Sequence, residues 1–105
     1  MLQYNYKIIL GGVCMKATKI KMKPGCGTSN NLTEIDSIYV TGCTNEQFFK
    51  KESLHDYLKK NPNSIQVNIY PYPNLIPATS ANNEKYVKSA SNNTTKDNLL
   101  KLPRE

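Results

Sequence analysis

Hydrophobic and polar residues alternate along much of this chain with the period of two that is typical of β-strands. The clearest case is the segment from Ala17 to Lys23, which Pro24-Gly25 ends. One face of the segment is predicted to be buried and the other to be wet and lysine-rich: Thr18, Ile20 and Met22 on the first, Lys19, Lys21 and Lys23 on the second. We therefore predict a half-buried strand over these residues.

Four more segments have the composition of strands. They are residues 35–41, the short segment 47–50 with two phenylalanines, the alternating segment 65–69, and the short segment 85–89. Residues 44–47 fit either a helix capping box or a hairpin turn, and we favour the turn. Prolines at positions 71, 73 and 77 exclude a central strand, so residues 71–84 are predicted to form a long loop.

The spacing of apolar residues predicts one helix, over Leu54–Lys60. From Leu54 onward, apolar side chains recur at i, i+3 and i+4, which places them on one helix face. Asn61-Pro62 then stops the helix. His55 and Asp56 lie off this face, so we expect both side chains to be in solvent rather than in a site.

Together these elements predict a single small α+β domain over residues 15–105. The expected architecture is a small, curved, mostly antiparallel sheet of four to five strands with one helix packed on one face. The predicted core consists of the apolar residues that face inward in this arrangement: Ile20, Met22, Ile35 or Ile38, Val40, Leu54, Leu58, Ile65, Val67, Ile69, Val87 and Leu99. This core is thin, so a homodimer through the N-terminal strand or a sheet edge is a further expectation.

Residues 1–14 differ from the rest of the chain. Apolar side chains alternate from Tyr4 to Leu10 until Gly11-Gly12 breaks the pattern, and Met15 offers a second start. We interpret the segment either as an added edge strand or as an N-terminal extension. The longest apolar run, 8–14, is far short of the ~20 residues that span a bilayer, and the segment lacks the parts of a signal peptide. We therefore expect a cytoplasmic protein with no membrane partner.

The chain has few groups of the kind that carry out catalysis. Cys14, Cys26 and Cys43 show no metal-ligand spacing, so we expect reduced thiols and no metal site. A disulfide between Cys26 and Cys43 stays open for a secreted chain. The sequence contains no phosphate-binding glycine loop and no hydrolase motif, and His55 has only its neighbour Asp56 as a partner. We expect no enzymatic activity, no catalytic residue and no cofactor.

The formal net charge is +6, from 14 Lys and Arg against 8 Asp and Glu. A basic balance suits a polyanionic partner. Almost all of it is lysine in an asparagine-rich chain, however, which AT-rich coding also produces, and a lysine row is also typical of a solvated sheet face. Both interpretations stay open. As a binding module for an anionic ligand, a nucleic acid or a nucleotide, the chain would use Lys19, Lys21, Lys23, Tyr86 and Lys88.

An alternative function rests on residues 70–84. Tyr70 and Tyr72 could stack on a base or on a proline-rich peptide, or could simply cover the edge of the core. With the two tyrosines as its partner-binding residues, the chain would be a protein-interaction or inhibitor module of the phage or mobile-element type. Its partner would then be a host protein.

The C-terminal part carries a more specific pattern. Residues 85–89 read Lys-Tyr-Val-Lys-Ser, and after a polar stretch residues 97–103 read Asp-Asn-Leu-Leu-Lys-Leu-Pro. This pattern resembles the end of a small bacterial and phage family catalogued as domain of unknown function 3892, and the order of elements matches from about Lys16 to Pro103. The resemblance implies two strands, a helix, further strands and a closing tail. It implies no activity.

The chain departs from that family pattern at two places. Lys88-Ser89 stands where the family has Arg-Thr, and Asn92-Asn93 replaces its Asp-Gly turn. An anion contact by a forked guanidinium at that position is therefore in doubt. In the tail we expect Asp97 to cap a short turn by accepting from backbone N–H groups, so that its leucines pack on the sheet.

Overall fold

The computed structural model describes residues 15–90 and 97–105 of the chain. Within these ranges there are six strands, one α-helix and two short 3₁₀ turns. The strands are β1 (Met15–Met22), β2 (Ile35–Thr41), β3 (Gln47–Lys50), β4 (Ile65–Val67), β5 (Leu75–Thr79) and β6 (Lys85–Ser89); helix α1 is Lys51–Lys60, and the 3₁₀ turns are Leu32–Glu34 and Asn98–Lys101. Residues 1–14, predicted as an edge strand or extension, lie outside the described residues.

The strands form two sheets. A four-stranded sheet has the order β3-β2-β1-β4, with antiparallel pairing except between β1 and β4, which run parallel from Met15↔Ile65 to Ala17↔Val67. Strands β5 and β6 form a separate antiparallel hairpin. The predicted α+β class is confirmed. The predicted single sheet is divided: β5 and β6 pair with each other, and the edge of β1 beyond β4 is occupied by the C-terminal tail.

A β-bulge in β1 changes which residues are buried. The pairing with β2 shifts between Ala17 and Lys19, so Thr18 is the extra residue on its strand. Ala17 and Ile20 are both fully buried, whereas Thr18 is only half-buried. The prediction that Thr18 occupies the buried face is therefore wrong, and the lysines that follow keep the outward orientation expected of them as far as Lys21.

The predicted loop 71–84 contains a strand. Leu75–Thr79 pairs along its whole length with β6, and Pro77 lies opposite Val87. Proline is tolerated here because a two-stranded sheet leaves an open edge on each strand, where a missing N–H breaks no ladder. The prolines therefore excluded a central strand but not an edge strand, and the prediction of a loop is wrong over these five residues.

Helix α1 begins at Lys51, three residues before the predicted start, and ends at Lys60 as predicted. Leu54 and Leu58 face the core, and the helix also packs against β5 and β6. The hairpin covers a second stripe of the helix, so Lys51 and His55 are buried with side chains 1% and 3% exposed. The expectation that His55 is solvated is therefore wrong. Its Nδ1 lies 3.1 Å from the carbonyl oxygen of Tyr86, which can only accept, so the proton is on Nδ1.

The C-terminal tail closes the open edge of β1. Asp97 accepts from the backbone N–H of Leu99 at 2.8 Å, as predicted, and also from the N–H and hydroxyl of Ser89. Beyond the turn, Ile20 donates to the Pro103 carbonyl and accepts from the N–H of Glu105, both at 2.9 Å. The tail thus pairs with β1 in parallel where β4 has already ended.

Arg104 holds this tail against the loop that follows β1. Its guanidinium donates to the carbonyl oxygens of Gly27 at 2.8 Å, Ser29 at 2.9 Å and Leu100 at 3.2 Å. All three acceptors are backbone groups, so the forked donor geometry of arginine is used for structure. The chain's only arginine therefore joins the tail to the loop after β1 and to the turn at Leu100.

One apolar core joins the two sheets, the helix and the tail. Every residue predicted for it is buried except Ile69, which is half-buried, and Ile35 and Ile38 are both inside. The predicted core left out four buried apolar residues: Ala17, Leu75, Leu100 and Leu102. The last two are tail leucines, whose packing on the sheet was predicted with the cap at Asp97. Among the described residues, no helix is long and apolar enough to cross a membrane.

Candidate functional site

The outer face of the four-stranded sheet, the side opposite the apolar core, combines lysines with aromatic rings. On β1 the residues that alternate with the buried ones are Lys16, Lys19 and Lys21, and the strand register sets what lies beside them. Lys19 is aligned with Tyr39 of β2, which is aligned in turn with Phe48 of β3. Neighbouring strands lie ~4.8 Å apart, so these three side chains form a row across the sheet.

Two ammonium groups of the outer face lie over rings of this row. The Nζ of Lys19 is 4.9 Å from the ring centroid of Tyr39, and the Nζ of Lys21 is 5.7 Å from that of Phe48. The two rings meet edge to face, with centroids 5.1 Å apart and planes at 79°. Both distances are within the ~6 Å at which a cation is attracted to a ring face.

Lys16 makes a third pair of the same kind. Its Nζ lies 5.1 Å from the ring centroid of Tyr72 and donates to the Gln66 side-chain oxygen at 2.8 Å. Tyr72 is 46% exposed, and its neighbour Tyr70 is 81% exposed and contacts it edge to face at 6.1 Å. Tyr72 therefore lies beside the lysines of β1. Lys16 was not among the predicted ligand residues, and it places one of the two tyrosines predicted for a different function beside the strand that carries Lys19 and Lys21.

Carboxylates neutralise only part of the outer face. Lys19 pairs with Glu105 at 3.5 Å, with both side chains about half exposed, and Lys50 pairs with Asp36 at 3.1 Å. Partial burial would raise the pKa of Asp36, but the hydrogen bond and charge of the Lys50 ammonium outweigh it and hold that pKa below its usual range. Within residues 15–90 and 97–105, Lys16 and Lys21 have no carboxylate partner.

Lys23, predicted to bind with Lys19 and Lys21, is directed elsewhere. A second bulge, at Asp36, ends the regular pairing just before it, and its Nζ contacts the carboxylate of Glu84 at 2.9 Å. The buried Lys51 ammonium donates to the same carboxylate and to the Thr33 carbonyl. Hydrogen bonds from Lys51 and then Lys23 lower the pKa of Glu84 to about 2. We call the side chains of Lys23, Lys51 and Glu84 the Lys51 cluster.

Tyr86 and Lys88, the other two predicted ligand residues, lie on β6 of the separate hairpin. Both are half-buried, and the Tyr86 carbonyl accepts from His55. The described contacts of these two residues include none with Lys19 or Lys21. The structure thus divides the predicted set between two sheets, and it brings together only Lys19 and Lys21 of the five.

Three members of the outer face were missing from the predicted site: Lys16, Tyr39 and Phe48. Tyr39 sits between the core residues Ile38 and Val40, so its outward orientation was readable from alternation alone. Its place beside Lys19 was not, since that depends on the bulge at Thr18 and on the register between β1 and β2.

Groups suited to metal or redox chemistry are sparse in the described ranges. No cluster of three or more His, Cys, Asp or Glu side chains that could hold a metal occurs there. Cys26 and Cys43 are both free and half-buried. Burial, followed by the charge of Glu46, raises the pKa of the Cys43 thiol, which disfavours the reactive thiolate. Cys14 lies outside the described residues.

On the opposite side of the sheet, helix α1 and strands β1 to β4 leave an apolar groove of about 370 Å³. Its lining is made almost entirely of hydrophobic side chains: Met15, Val40, Cys43, Phe49, Ser53, Leu54, Tyr57 and Ile65. No charged side chain lines it. An anionic ligand would therefore find its complement on the outer face and not in the groove.

Comparison with known proteins assigns a family without an activity. The model of a family described as a protein of unknown function (DUF3892) matches residues 16–103. That range includes the strand, helix and tail order on which the resemblance was based. No curated protein matches the chain, and no solved structure does.

Proposed function

We propose a function from the outer face of the four-stranded sheet, because the chain belongs to the DUF3892 family, whose description as a protein of unknown function states no activity. The chain is a non-enzymatic binding module for an anionic ligand, a nucleic acid or a nucleotide. One observation carries this proposal. Lys16, Lys19 and Lys21 project from a single strand on one face, and two of them have no carboxylate partner in the described ranges.

The energetics favour transfer of these ammonium groups to phosphate. An exposed cation–π contact contributes only ~0.5–1 kcal/mol. An exposed ion pair contributes a similar ~0–1 kcal/mol, but a lysine that neutralises a nucleic-acid phosphate also releases the counterions condensed on it. A phosphate within reach of Lys21 would therefore draw its ammonium off the ring at a net gain. Lys16 would also have to give up its hydrogen bond to the Gln66 side-chain oxygen. Lys19 would contribute less, since it must first leave Glu105.

Salt dependence gives the first test. Neutralising Z phosphates of a single strand lowers the logarithm of the binding constant by ~0.7Z per decade of salt, so three lysines predict a slope of about −2. We would measure the binding of heparin and of a fluorescent DNA strand by anisotropy over a range of salt concentrations. Absence of binding to both probes at low salt, or binding that salt does not weaken, would overturn the proposal.

A charge-reversal pair locates the site. The double variant K16E/K21E should weaken binding at least tenfold, because it removes the two unneutralised cations of the outer face. The matched control is K59E/K60E, which changes the net charge equally at two exposed positions of α1. Equal losses in the two variants would show a net-charge effect, and would count against the outer face as the site.

A second candidate function has its own observation. Tyr70 is the most exposed large hydrophobic side chain among the described residues, at 81%. Aromatic side chains are enriched at protein interfaces. The chain could therefore act as an interaction or inhibitor module of the phage or mobile-element type, as residues 70–84 led us to expect. A partner isolated from the source cells should be lost with Y70A and retained with Y57A. Loss with both, or with neither, would exclude this surface.

A further inference from the structure

The outer face presents aromatic rings as well as positive charge. Tyr39, Phe48 and Tyr72 each have a lysine ammonium between 4.9 and 5.7 Å from the ring centroid. A nucleotide has the same two parts in the same proportion, one flat base and one phosphate. Each ring and lysine together thus match one nucleotide, with a base stacked on the ring and a phosphate on the ammonium.

The number and spacing of these pairs point to more than one nucleotide. Because of the bulge at Thr18, Lys16, Lys19 and Lys21 are aligned with Thr41, Tyr39 and Ser37 of β2, so successive lysines leave the backbone ~7 Å apart. Tyr39 and Phe48 lie on successive strands, and Tyr72 lies at the other end, beside Lys16. A single nucleotide would occupy one of the three pairs. A strand of several nucleotides would occupy all three.

The form of the face selects unpaired bases. In a duplex the bases stack on one another and show a protein only their edges, which are read by an element that enters a groove. Here the rings belong to a sheet face and to the loop beside it, and not to a helix or ribbon that could enter a groove: Tyr39 lies on β2, Phe48 on the edge strand β3 and Tyr72 in the loop after β4. An unpaired strand exposes the faces of its bases and can turn each one to meet a ring, even where two ring planes differ by 79°, as those of Tyr39 and Phe48 do.

We propose that the outer face binds single-stranded nucleic acid, with bases stacked on Tyr39, Phe48 and Tyr72 and phosphates on Lys16, Lys19 and Lys21. This inference rests on the proposed function, because it assumes that the face is an anion site. It adds the class of ligand and a role for the rings. In the free protein each ring is covered by the lysine that moves to the phosphate when a base arrives.

The experiment compares three probes on the full chain: oligothymidylates of roughly 4 to 16 nucleotides, a duplex of matched length, and heparin, which carries charge but no bases. Affinity for oligothymidylate should rise with length until the three pairs are filled, and should exceed that for the duplex. The double variant Y39L/F48L should weaken oligothymidylate binding roughly 5- to 150-fold per ring, and should change heparin binding less than twofold.

Y57L is the matched control, since Tyr57 is a partly exposed tyrosine on α1, away from the outer face. Thermal melts of each variant check that it is folded. Equal binding of single strand and duplex, with no effect of Y39L/F48L, would overturn this inference while leaving the proposed function intact. Absence of binding to all three probes would overturn both. A loss for oligothymidylate that leaves heparin unchanged supports the stacking role.

Discussion

Two groups of lysines in this small domain have opposite roles. Lys16 and Lys21 lie over rings on the outer face, where Lys21 is exposed and Lys16 is half-buried beside Gln66. Lys51 is 1% exposed, and its ammonium is satisfied by Glu84 and a backbone carbonyl. A lysine stem packs well anywhere, but a buried charge must be paired, whereas a surface charge is free to exchange partners. The first group is therefore suited to binding and the second to holding the fold.

The largest expected effect is from K51M. Methionine keeps most of the apolar stem but loses the hydrogen bonds to Glu84 and to the Thr33 carbonyl, so the free energy of unfolding should fall by about 2–3 kcal/mol. Urea denaturation followed by circular dichroism measures this change. K21M, the surface counterpart, should stay within ~0.5 kcal/mol of the wild type.

A rescue variant shows whether the loss comes from unpaired charge or from packing. In K51M/E84L the carboxylate is removed together with its buried partner, and such double replacements are often neutral. The double variant should therefore recover part of the stability lost in K51M. If K51M alone is as stable as K21M, the contrast between the two groups of lysines fails.

The next largest effect is expected from acid, which should remove the stability that Glu84 contributes through the Lys51 cluster. The pKa of Glu84 is about 2 in the folded chain, against an ordinary value of 4.5, so its contribution is present above pH 4.5 and is lost as pH falls toward 2. The E84Q variant lacks this titration, so its stability should approach that of the wild type over the same interval. Thermal melts of both proteins at a series of pH values test this.

D56N is a suitable comparison for E84Q. Asp56 pairs with Lys85 at 2.9 Å, and the hydrogen bond from Lys85 lowers its pKa, but the pair is exposed on the surface. Solvent screens such a pair, so D56N should shift the melting temperature less than E84Q does near neutral pH. A larger shift for D56N would place the important ion pair on the surface.

The smallest expected effect is the coupling between Lys19 and Tyr39. Their contact at 4.9 Å should contribute ~0.5–1 kcal/mol. A double-mutant cycle of K19M, Y39L and the combined variant measures it. Coupling above 2 kcal/mol would mean that the ring holds its lysine too firmly to release it to a ligand, and would weaken the contrast drawn above.

Local patterns along the chain predicted much of this fold. The alternation in β2 and the short segments β3 and β6 gave strands that are confirmed within their predicted bounds. Asp97 was predicted to cap its turn because the signal is contained in a few consecutive residues. These predictions depend only on hydrogen bonds between residues close in sequence and on the alternation of apolar and polar side chains within one segment.

The remaining features depend on contacts between distant segments. His55 is buried because the hairpin of β5 and β6 covers its side of the helix. The strand around Pro77 forms by pairing with β6, and the residues of the segment itself did not predict it. The same applies to the candidate site. Nothing in the sequence places Lys19 beside Tyr39, since one bulge at Thr18 sets that register.

The pairing of the tail with Ile20 has a consequence for synthesis of the chain. Ile20 leaves the ribosome long before Arg104, and at ~5–20 residues per second the interval is roughly 4 to 17 seconds. Throughout that interval this part of the β1 edge lacks its partner, although β2 is synthesised soon after β1 and can pair on the other side. An open strand edge invites pairing between nascent chains. The exposure of this part of the β1 edge thus ends only when the tail pairs with Ile20 and Arg104 donates to its three backbone carbonyls.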